Sequence, residues 1–321
     1  MSKIAIGIDI SKAKFDATIL FQNNKVKTKK FDNKRSGFLE MFEWLKKQDA
    51  LEAHACLEAT GIYGEALATH LFDAGFQVSV VNPAQVKGFA QCELSRTKTD
   101  KADSQLIARF CRAINPPPWR PKLQHIQELQ AWVRHLEGLQ SLYRQEANRL
   151  EVAPLCVQSS MKAIVKRLAK EIERVKEQIK VHIEQHPDLR NKKKLLETIP
   201  GIGEATIAQV LAFMGNIEDF KNAKQLAAFV GLNPKQRQSG TSVQGRAKLS
   251  KMGNSNLRRA FYMPAVSAKN HNPVMKDFAA RLEAAGKAKM LIIGAIKRKL
   301  VHIIYGVLKL GKAFNAQLAL G

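Results

Sequence analysis

The first 113 residues restrict the fold most, because short apolar runs and amphipathic segments follow one another there in a definite order. Three short runs separated by turn-length gaps predict three consecutive antiparallel strands, at residues 3–10, 14–21 and 25–31. Helices and strands then alternate: helix 35–48, strand 54–58, helix 61–74, strand 77–81 and helix 101–113. This order predicts an α/β domain of the ribonuclease-H-like class.

The sequence changes character after the prolines at 116–118, which mark a stiff boundary. Apolar side chains recur at heptad spacing over residues 129–150 and 161–182, with one interruption near Pro154. The pattern predicts two helices of about 30 residues, each about 45 Å long, that form a coiled-coil hairpin serving as a spacer or for dimerisation. We expect three domains: a catalytic domain over 1–115, a coiled-coil arm over 122–186 and a mainly α-helical domain over 187–321.

The charge balance indicates the class of partner. The chain has 52 Lys and Arg against 28 Asp and Glu, a formal net charge of +24, and 45% of its residues are hydrophobic. A folded protein this basic is expected to bind a polyanion, with nucleic acid the first candidate. Residues 1–110 carry 16 basic and 13 acidic side chains, whereas residues 199–321 carry 19 and 5. We therefore expect the last domain to bind the nucleic acid.

Other classes of protein are disfavoured. The four cysteines lie far apart, without the spacing of a zinc site or a disulfide framework. The apolar run at the start is too short for a secretion signal, and the apolar stretch at 290–310 is interrupted by four basic residues. We expect a cytoplasmic protein without a membrane partner.

Four acidic residues are candidates for a metal site. Asp9 and Glu58 close two predicted strands that are neighbours in a ribonuclease-H-like sheet, and Asp100 and Asp103 share one face at a helix start. Converging carboxylates need a compensating cation, and oxygen ligands of this kind favour Mg²⁺ or Mn²⁺. Such ions activate an attacking oxygen and stabilise a leaving one on a phosphodiester. The set therefore predicts metal-dependent phosphodiester chemistry.

Each acid also has a structural explanation. Asp9 fits a strand-end turn and Glu58 a surface position. Asp100 fits a helix N-cap, with Asp103 interacting favourably with the helix dipole. Sugar kinases and actin-like ATPases also begin with a strand carrying Gly-x-Asp, but they need a glycine-rich phosphate turn that residues 11–14 do not supply. We favour the metal site because each acid falls where the fold requires it.

Two segments of the last region suit phosphate binding. In residues 195–211, a Gly201-Ile202-Gly203 turn joins two amphipathic helices, which is the form of a helix-hairpin-helix element. Its glycines allow close backbone approach and the second helix offers free N–H groups, although a turn used only for packing is the alternative. Residues 237–259 mix small hydroxyl residues, glycines and six basic side chains, and a polar loop that binds phosphates non-specifically is the simplest interpretation of them.

These residues carry a resemblance to a known family. The chain contains, in order, Asp9, Glu58-Ala59-Thr60-Gly61, Asn82-Pro83, Lys98-Thr99-Asp100 with Asp103, Ile199-Pro200-Gly201-Ile202-Gly203, Ser239-Gly240, Gly245-Arg246 and Ser250-Lys251-x-Gly253-Asn254-x-x-Leu257-Arg258-Arg259. Over essentially its whole length it resembles the DEDD insertion-sequence transposases of the IS110 group.

The resemblance implies a RuvC-like first domain, a coiled-coil arm and a C-terminal transposase domain that carries an essential serine. It implies an Mg²⁺-dependent bacterial recombinase of the cytosol or nucleoid, with Mn²⁺ as the alternative ion. It implies a guide (bridge) RNA that pairs with donor and target DNA, a 5′-phosphoserine intermediate, and a homo-oligomer, either a dimer or a tetramer. It assigns the acidic tetrad to Asp9, Glu58, Asp100 and Asp103, and the nucleophile to Ser239, with Thr241 and Ser242 as nearby alternatives.

Eight residues are candidates for nucleic-acid contacts: Lys98, Gly201, Gly203, Arg246, Lys248, Lys251, Arg258 and Arg259. No base-reading helix is evident, which agrees with recognition by RNA pairing. Two other functions remain open. A Holliday-junction-type endonuclease would use the tetrad and a metal-activated water, with Ser239 structural. A non-enzymatic nucleic-acid-binding assembly protein would use neither the acidic tetrad nor Ser239 for chemistry.

Overall fold

The computed structural model describes residues 4–59, 61–94, 99–239 and 243–317. The chain divides into two compact units, Met1–Lys122 and Leu123–Gly321. The first unit is a mixed α/β structure and the second is mainly helical. Each unit has its own hydrophobic core.

A five-stranded sheet forms the first unit. Its strands are β1 Ala5–Ile10, β2 Lys14–Leu20, β3 Val26–Asp32, β4 His54–Glu58 and β5 Gln77–Val81, in the spatial order β3-β2-β1-β4-β5. The first three are antiparallel neighbours joined by short turns, whereas β4 runs parallel to both β1 and β5. Parallel pairs need a crossover. Helices α1 Arg35–Lys47 and α2 Glu65–Asp73 supply it, so the predicted order of strands and helices is confirmed.

The two faces of the sheet are covered differently. Ile6, Ile8 and Phe15 pack on one face with Met41 of α1. Gly7 belongs to the other face, because side chains alternate along a strand. There, helix α4 Asp100–Ile114 packs directly on β1, and a Cβ at Gly7 would lie 2.1 Å from both the amide nitrogen of Ala108 and the carbonyl oxygen of Ser104. Only glycine permits this approach.

One helix of the first unit was not predicted. Helix α3 Pro83–Cys92 follows β5 directly. Its N-cap is Asn82, whose Oδ1 accepts a hydrogen bond from the amide of Ala84 at 2.8 Å, and Pro83 occupies the first helical position. Asn followed by Pro is therefore a helix start here as well as a strand stop.

Two long helices open the second unit, α5 Gln124–Glu151 and α6 Leu155–Gln185, as the heptad pattern predicts. Their 28 and 31 residues correspond to about 42 and 46 Å. Side chains near one end of the pair, such as Leu129 and Ile179, are buried against the C-terminal helices. At the connecting turn, Val152 and Leu155 are 84% and 86% exposed. We call the buried end of the pair its base and the end at the connecting turn its tip; the seam residues next to the tip, such as Leu150 and Met161, are partly buried.

The remaining helices pack around a single central helix. They are α7 Pro187–Glu197, α8 Glu204–Phe213, α9 Ala223–Val230, α10 Ser255–Ala260, α11 Tyr262–His271, α12 Pro273–Ala284 and α13 Lys289–Leu310. The central helix is α13, which contacts α7, α9, α11 and α12 and buries Ile296, Leu300 and Ile304. One core joins these helices to the base of α5 and α6. The division into an arm over 122–186 and a domain over 187–321 stays a prediction.

A β-hairpin interrupts the helices. Strands β6 Pro234–Ser239 and β7 Val243–Leu249 pair antiparallel. The expectation of a polar loop in this segment is therefore wrong over both strands. Their sequences, PKQRQS and VQGRAKL, contain few apolar residues and so lack the alternation by which a half-buried strand is recognised.

Within the described ranges, no helix combines the length and apolar character needed to cross a membrane. All four cysteines are free thiols, with Cys56 and Cys111 buried and Cys92 and Cys156 exposed.

Candidate functional site

Asp9 and Glu58 lie at the same edge of the sheet. Strands β1 and β4 are parallel neighbours, and their last paired residues are Ile8 and Leu57. The next residue on each strand is therefore an acid. Because side chains alternate, both acids belong to the face opposite Ile8 and Leu57, which is the face that α4 covers.

Helix α4 brings Asp100 and Asp103 to this edge in its first turn. Its N-cap is Thr99, whose Oγ1 accepts a hydrogen bond from the amide of Ala102 at 3.2 Å. The interpretation of Asp100 as the N-cap is therefore wrong. Asp100 is exposed and Asp103 half-buried, and the positive end of the helix dipole stabilises both carboxylates.

Buried hydroxyl groups fix α4 to the sheet. The hydroxyl oxygens of Thr18 on β2 and Ser104 on α4 lie 2.8 Å apart, and Thr18 is also 2.8 Å from the hydroxyl of Thr28 on β3. Thr18 and Ser104 have no solvent-exposed surface. Together with the contact at Gly7, this network sets where the first turn of α4, and hence its two acids, lies relative to Asp9.

Asp9 shows that the acids influence one another. Burial, followed by repulsion from the carboxylates of Asp103, Asp100, Glu58 and Asp16, raises the pKa of Asp9 from 3.8 to about 6. Desolvation and neighbouring negative charge both disfavour the ionised form. The site therefore stores unfavourable electrostatic energy that a cation would relieve.

Asp16 is an additional acid that the sequence did not single out. It lies on β2 directly opposite Asp9 in the register and is almost fully buried. Its carboxylate is 3.3 Å from the ammonium group of Lys30, which is also 3.5 Å from Asp100. The hydrogen bond to Asp16 is the main reason why the pKa of Lys30 is raised. The sequence could have indicated this position, because a tight turn between β1 and β2 places residue 16 opposite residue 9.

The carboxylates around Asp9 are of the ligand type that a hard divalent cation prefers. Among the residues that the structure describes, no three His, Cys, Asp or Glu side chains are already grouped closely enough to hold a metal ion. The acids that act on Asp9 are nevertheless all carboxylates, the ligand type that Mg²⁺ and Mn²⁺ prefer, and their excess negative charge calls for a cation. The residues thus match such an ion in ligand type and in charge.

Ser239 stands where the β-hairpin turns. It is the last residue of β6 and pairs in register with Val243, the first residue of β7. The alternatives Thr241 and Ser242 lie outside the described residues, as does Lys98. Ser239 belongs to the second unit and the four acids belong to the first.

Comparisons with known proteins show the family of the chain. The family model for DEDD transposases of the IS110 type, described as "Transposase", matches residues 6–153, and the model "Transposase IS116/IS110/IS902 family" matches residues 193–280. The chain is 35% identical over 321 residues, 99% of each chain, to the "Pilin gene-inverting protein" of Moraxella bovis. The chain belongs to the IS110 family of DEDD transposases. It is therefore a DNA transposase or recombinase.

Insertion-element proteins are more distant relatives of this transposase. The "Transposase for insertion sequence element IS1328" of Yersinia enterocolitica is 25% identical over 228 residues, 60% of this chain and 64% of the relative. The "Insertion element IS110 uncharacterized 43.6 kDa protein" of Streptomyces coelicolor is 28% identical over 144 residues, 45% of this chain and 34% of the relative.

The two glycines of the Gly-Ile-Gly turn differ in their surroundings. Gly201 has a φ of +96°, and a Cβ there would lie 2.8 Å from the Cβ of Ala268 on α11. Gly203 is the N-cap of α8, and no atom lies within 4 Å of the place its Cβ would take. Packing therefore accounts for Gly201, whereas Gly203 leaves the N-terminus of α8 open to an anion.

The transposase's candidate phosphate contacts also differ from one another. Arg258 donates hydrogen bonds from Nη1 to the backbone carbonyls of Lys251 at 3.0 Å and Val230 at 3.4 Å, so it also holds the segment before α10 in place. The Arg259 side chain is 72% exposed, and Lys248 and Lys251 are exposed. Arg246 lies on β7.

Proposed function

We propose that this transposase is an RNA-guided, Mg²⁺-dependent DNA recombinase that cleaves and rejoins strands through a 5′-phosphoserine intermediate on Ser239. In this proposal Asp9, Glu58, Asp100 and Asp103 form the metal site, with Mn²⁺ as the alternative ion. The first unit is taken as a RuvC-like domain. Its three antiparallel strands followed by alternating helices and parallel strands support that assignment.

One observation carries the metal site. The carboxylates of Asp103, Asp100 and Glu58 all act on Asp9 and help to raise its pKa to about 6. Three separate elements, β1, β4 and α4, supply these acids. Repulsive groups are not gathered from three elements by packing alone, so a bound cation gives them a function. A divalent ion held there would polarise the phosphodiester and lower the barrier to its cleavage.

The serine would perform the covalent step. Its Oγ attacks the phosphorus, the bond between phosphorus and the 3′ oxygen breaks, and the proton lost by the serine is balanced by one gained at the leaving 3′ oxygen. The products are a 5′-phosphoserine and a free 3′-hydroxyl. Attack of a 3′-hydroxyl on the phosphoserine reverses the step and restores the serine hydroxyl. The protein thus conserves the phosphodiester energy needed for rejoining.

The relatives support rejoining rather than simple cutting. The pilin gene-inverting proteins of Moraxella bovis and Moraxella lacunata are each 35% identical to this chain over 99% of its length. Inversion of a gene requires that cut strands be joined again. A Holliday-junction-type endonuclease with a metal-activated water would release its products, and it is therefore the less favoured function.

The second unit would hold the nucleic acids. Residues 199–321 carry 19 basic against 5 acidic side chains. The segment that follows Ser239 contains four of the candidate basic residues, Lys248, Lys251, Arg258 and Arg259. The open N-terminus of α8 at Gly203 suits a backbone phosphate, as in a helix-hairpin-helix element. We infer that donor DNA, target DNA and a guide RNA are the partners, with sequence read by pairing.

We also infer that the transposase is a homo-oligomer, a dimer or tetramer. The tip of the α5–α6 pair exposes Val152 and Leu155 almost fully. Exposed apolar side chains at the end of a long helical pair suit association with a second copy. Light scattering of the full chain measures the oligomer, and a strict monomer at micromolar concentration contradicts this part.

Trapping of the intermediate tests the main proposal. The transposase is incubated with guide RNA, both DNA partners and Mg²⁺, then denatured and examined for DNA that migrates with protein. Wild type should give the adduct, Ser239→Ala should not, and Ser242→Ala, three residues along the chain, should keep it. Asp9→Asn should abolish both adduct and cleavage.

The outcomes separate the alternatives. An adduct that survives Ser239→Ala shows that another residue is the nucleophile, and its loss in Ser242→Ala or Thr241→Ala identifies which. Cleavage without any adduct favours the endonuclease. Full activity of Asp9→Asn contradicts the metal site. If the reaction proceeds equally well without guide RNA, RNA guidance is wrong.

A further inference from the structure

A row of charged residues crosses three strands of the sheet beside the proposed metal site. Asp9 on β1 is paired with Asp16 on β2, and Asp16 is paired with Lys30 on β3. Directly opposite residues project to the same face of a sheet. The row therefore lies on the face that α4 covers, next to Asp100 at the start of that helix.

Lys30 connects the sheet to the helix. Its Nζ lies 3.3 Å from Oδ2 of Asp16 and 3.5 Å from Oδ2 of Asp100. The Asp16 side chain is only 9% exposed, so its charge is poorly hydrated and needs a partner. The Lys30 side chain is half-exposed, which leaves it free to swing into solvent.

Lys29, the neighbouring residue on β3, provides a contrast. It projects to the opposite face and pairs with Glu40 of α1 at 2.9 Å, where the two side chains are 42% and 56% exposed. An exposed pair of this kind contributes little. Two lysines of one strand therefore differ mainly in whether they face the acids.

We propose that Lys30 is a positioning residue that acts as the built-in counter-ion of the acid cluster, holding Asp16 and Asp100 together until a divalent metal ion binds and competing with that ion for Asp100. The competition rests on the proposed metal site, whereas the bridge between Asp16 and Asp100 does not. On binding of the ion, the ammonium group gives up Asp100 and keeps Asp16. Lys30 thus keeps the acids assembled in the metal-free protein and sets a threshold for loading.

The test compares the full-length variants Lys30→Met, Lys30→Arg and Lys29→Met. Thermal unfolding is measured in EDTA and in saturating Mn²⁺, and Mn²⁺ binding is measured directly from the electron paramagnetic resonance signal of the free ion. Lys30→Met should unfold at a lower temperature than Lys29→Met in EDTA, and Mn²⁺ should close most of that gap. Its dissociation constant for Mn²⁺ should fall at least about fivefold, because the variant removes a positive charge that repels the ion, and even two unit charges about 4 Å apart in water repel one another by that factor. Lys30→Arg should behave as wild type.

An unchanged Mn²⁺ affinity in Lys30→Met, or an equal loss of stability with and without Mn²⁺, overturns the competition. The bridge between Asp16 and Asp100 is tested separately in EDTA. There, adding Asp16→Asn to Lys30→Met should restore the stability that Lys30→Met alone loses. If the double variant is no more stable than Lys30→Met, the counter-ion role is wrong. If wild type and Asp103→Asn bind Mn²⁺ equally poorly, the metal site of the proposed function fails, while the EDTA result still decides the role of Lys30.

Discussion

The contact between α4 and β1 at Gly7 gives a sharp prediction for Gly7→Ala. The added methyl group would lie 2.1 Å from backbone atoms of Ala108 and Ser104. Ordinary carbon contacts need about 3.5 Å, so α4 must move away by more than about 1 Å. Overpacking of this kind costs about 1–3 kcal/mol, or more where backbone has to shift. At roughly 4 °C per kcal/mol, the first unit should unfold about 4–12 °C lower.

The same shift should affect activity more than stability. Helix α4 carries Asp100 and Asp103, and a misplacement of about 1 Å at a reacting centre costs on the order of 100-fold in rate. DNA strand cleavage and thermal unfolding are measured side by side. Gly88→Ala on α3 is the matched control, because no atom lies within 4 Å of its added Cβ, and a helical alanine should stabilise by roughly 0.5–1 kcal/mol. If Gly7→Ala has the unfolding temperature and cleavage rate of wild type, the close contact between Gly7 and α4 does not determine the position of this helix.

Three further predictions concern single side chains. Ser104→Ala removes a fully buried hydrogen bond to Thr18 and should cost about 1–2 kcal/mol in thermal unfolding, with cleavage reduced because α4 loosens; an unaltered unfolding temperature contradicts this. Because the folded-state pKa of Asp9 is raised to about 6, its ionisation destabilises the metal-free protein as pH rises from about 4 through about 6. In EDTA at pH 8, the free energy of unfolding of Asp9→Asn should therefore exceed that of wild type by about 1–2 kcal/mol, after allowance for the partial exposure of Asp9. Near pH 4 the two proteins should be equally stable, and denaturant titrations at the two pH values check both expectations. Arg258→Ala should lower both the unfolding temperature and DNA affinity, whereas Arg259→Ala should lower affinity and its salt dependence alone, as fluorescence anisotropy at several salt concentrations would show.

The fold of the first unit was largely predictable because its signals are local. Buried strands such as β1 and β4 are short apolar runs bounded by turn residues, and α1 and α4 are amphipathic. The same logic found α5 and α6, whose heptads repeat over many turns. Helix α3 is hard to predict because Asn82-Pro83 ends a strand and begins a helix at the same point, with Asn82 as the N-cap.

The hairpin of β6 and β7 could not be predicted from periodicity. Its strands pair antiparallel, but their sequences are polar and carry no hydrophobic alternation. Pairing partners that are not marked by hydrophobic alternation are invisible in a single sequence. The same applies to Arg258, whose bonds to the carbonyls of Lys251 and Val230 depend on how the chain folds back.

By itself, the sequence determined the element order of the first unit, the two long helices and the basic character of the C-terminal region, because each depends on local pattern or composition. It also named four candidate acids. Only the tertiary structure decided how the acids act together. The register between β1 and β2 places Asp16 opposite Asp9, and the ion pairs of Lys30 connect the sheet to α4. Electrostatic coupling depends on distance and burial, and neither is a property of a residue's position along the chain.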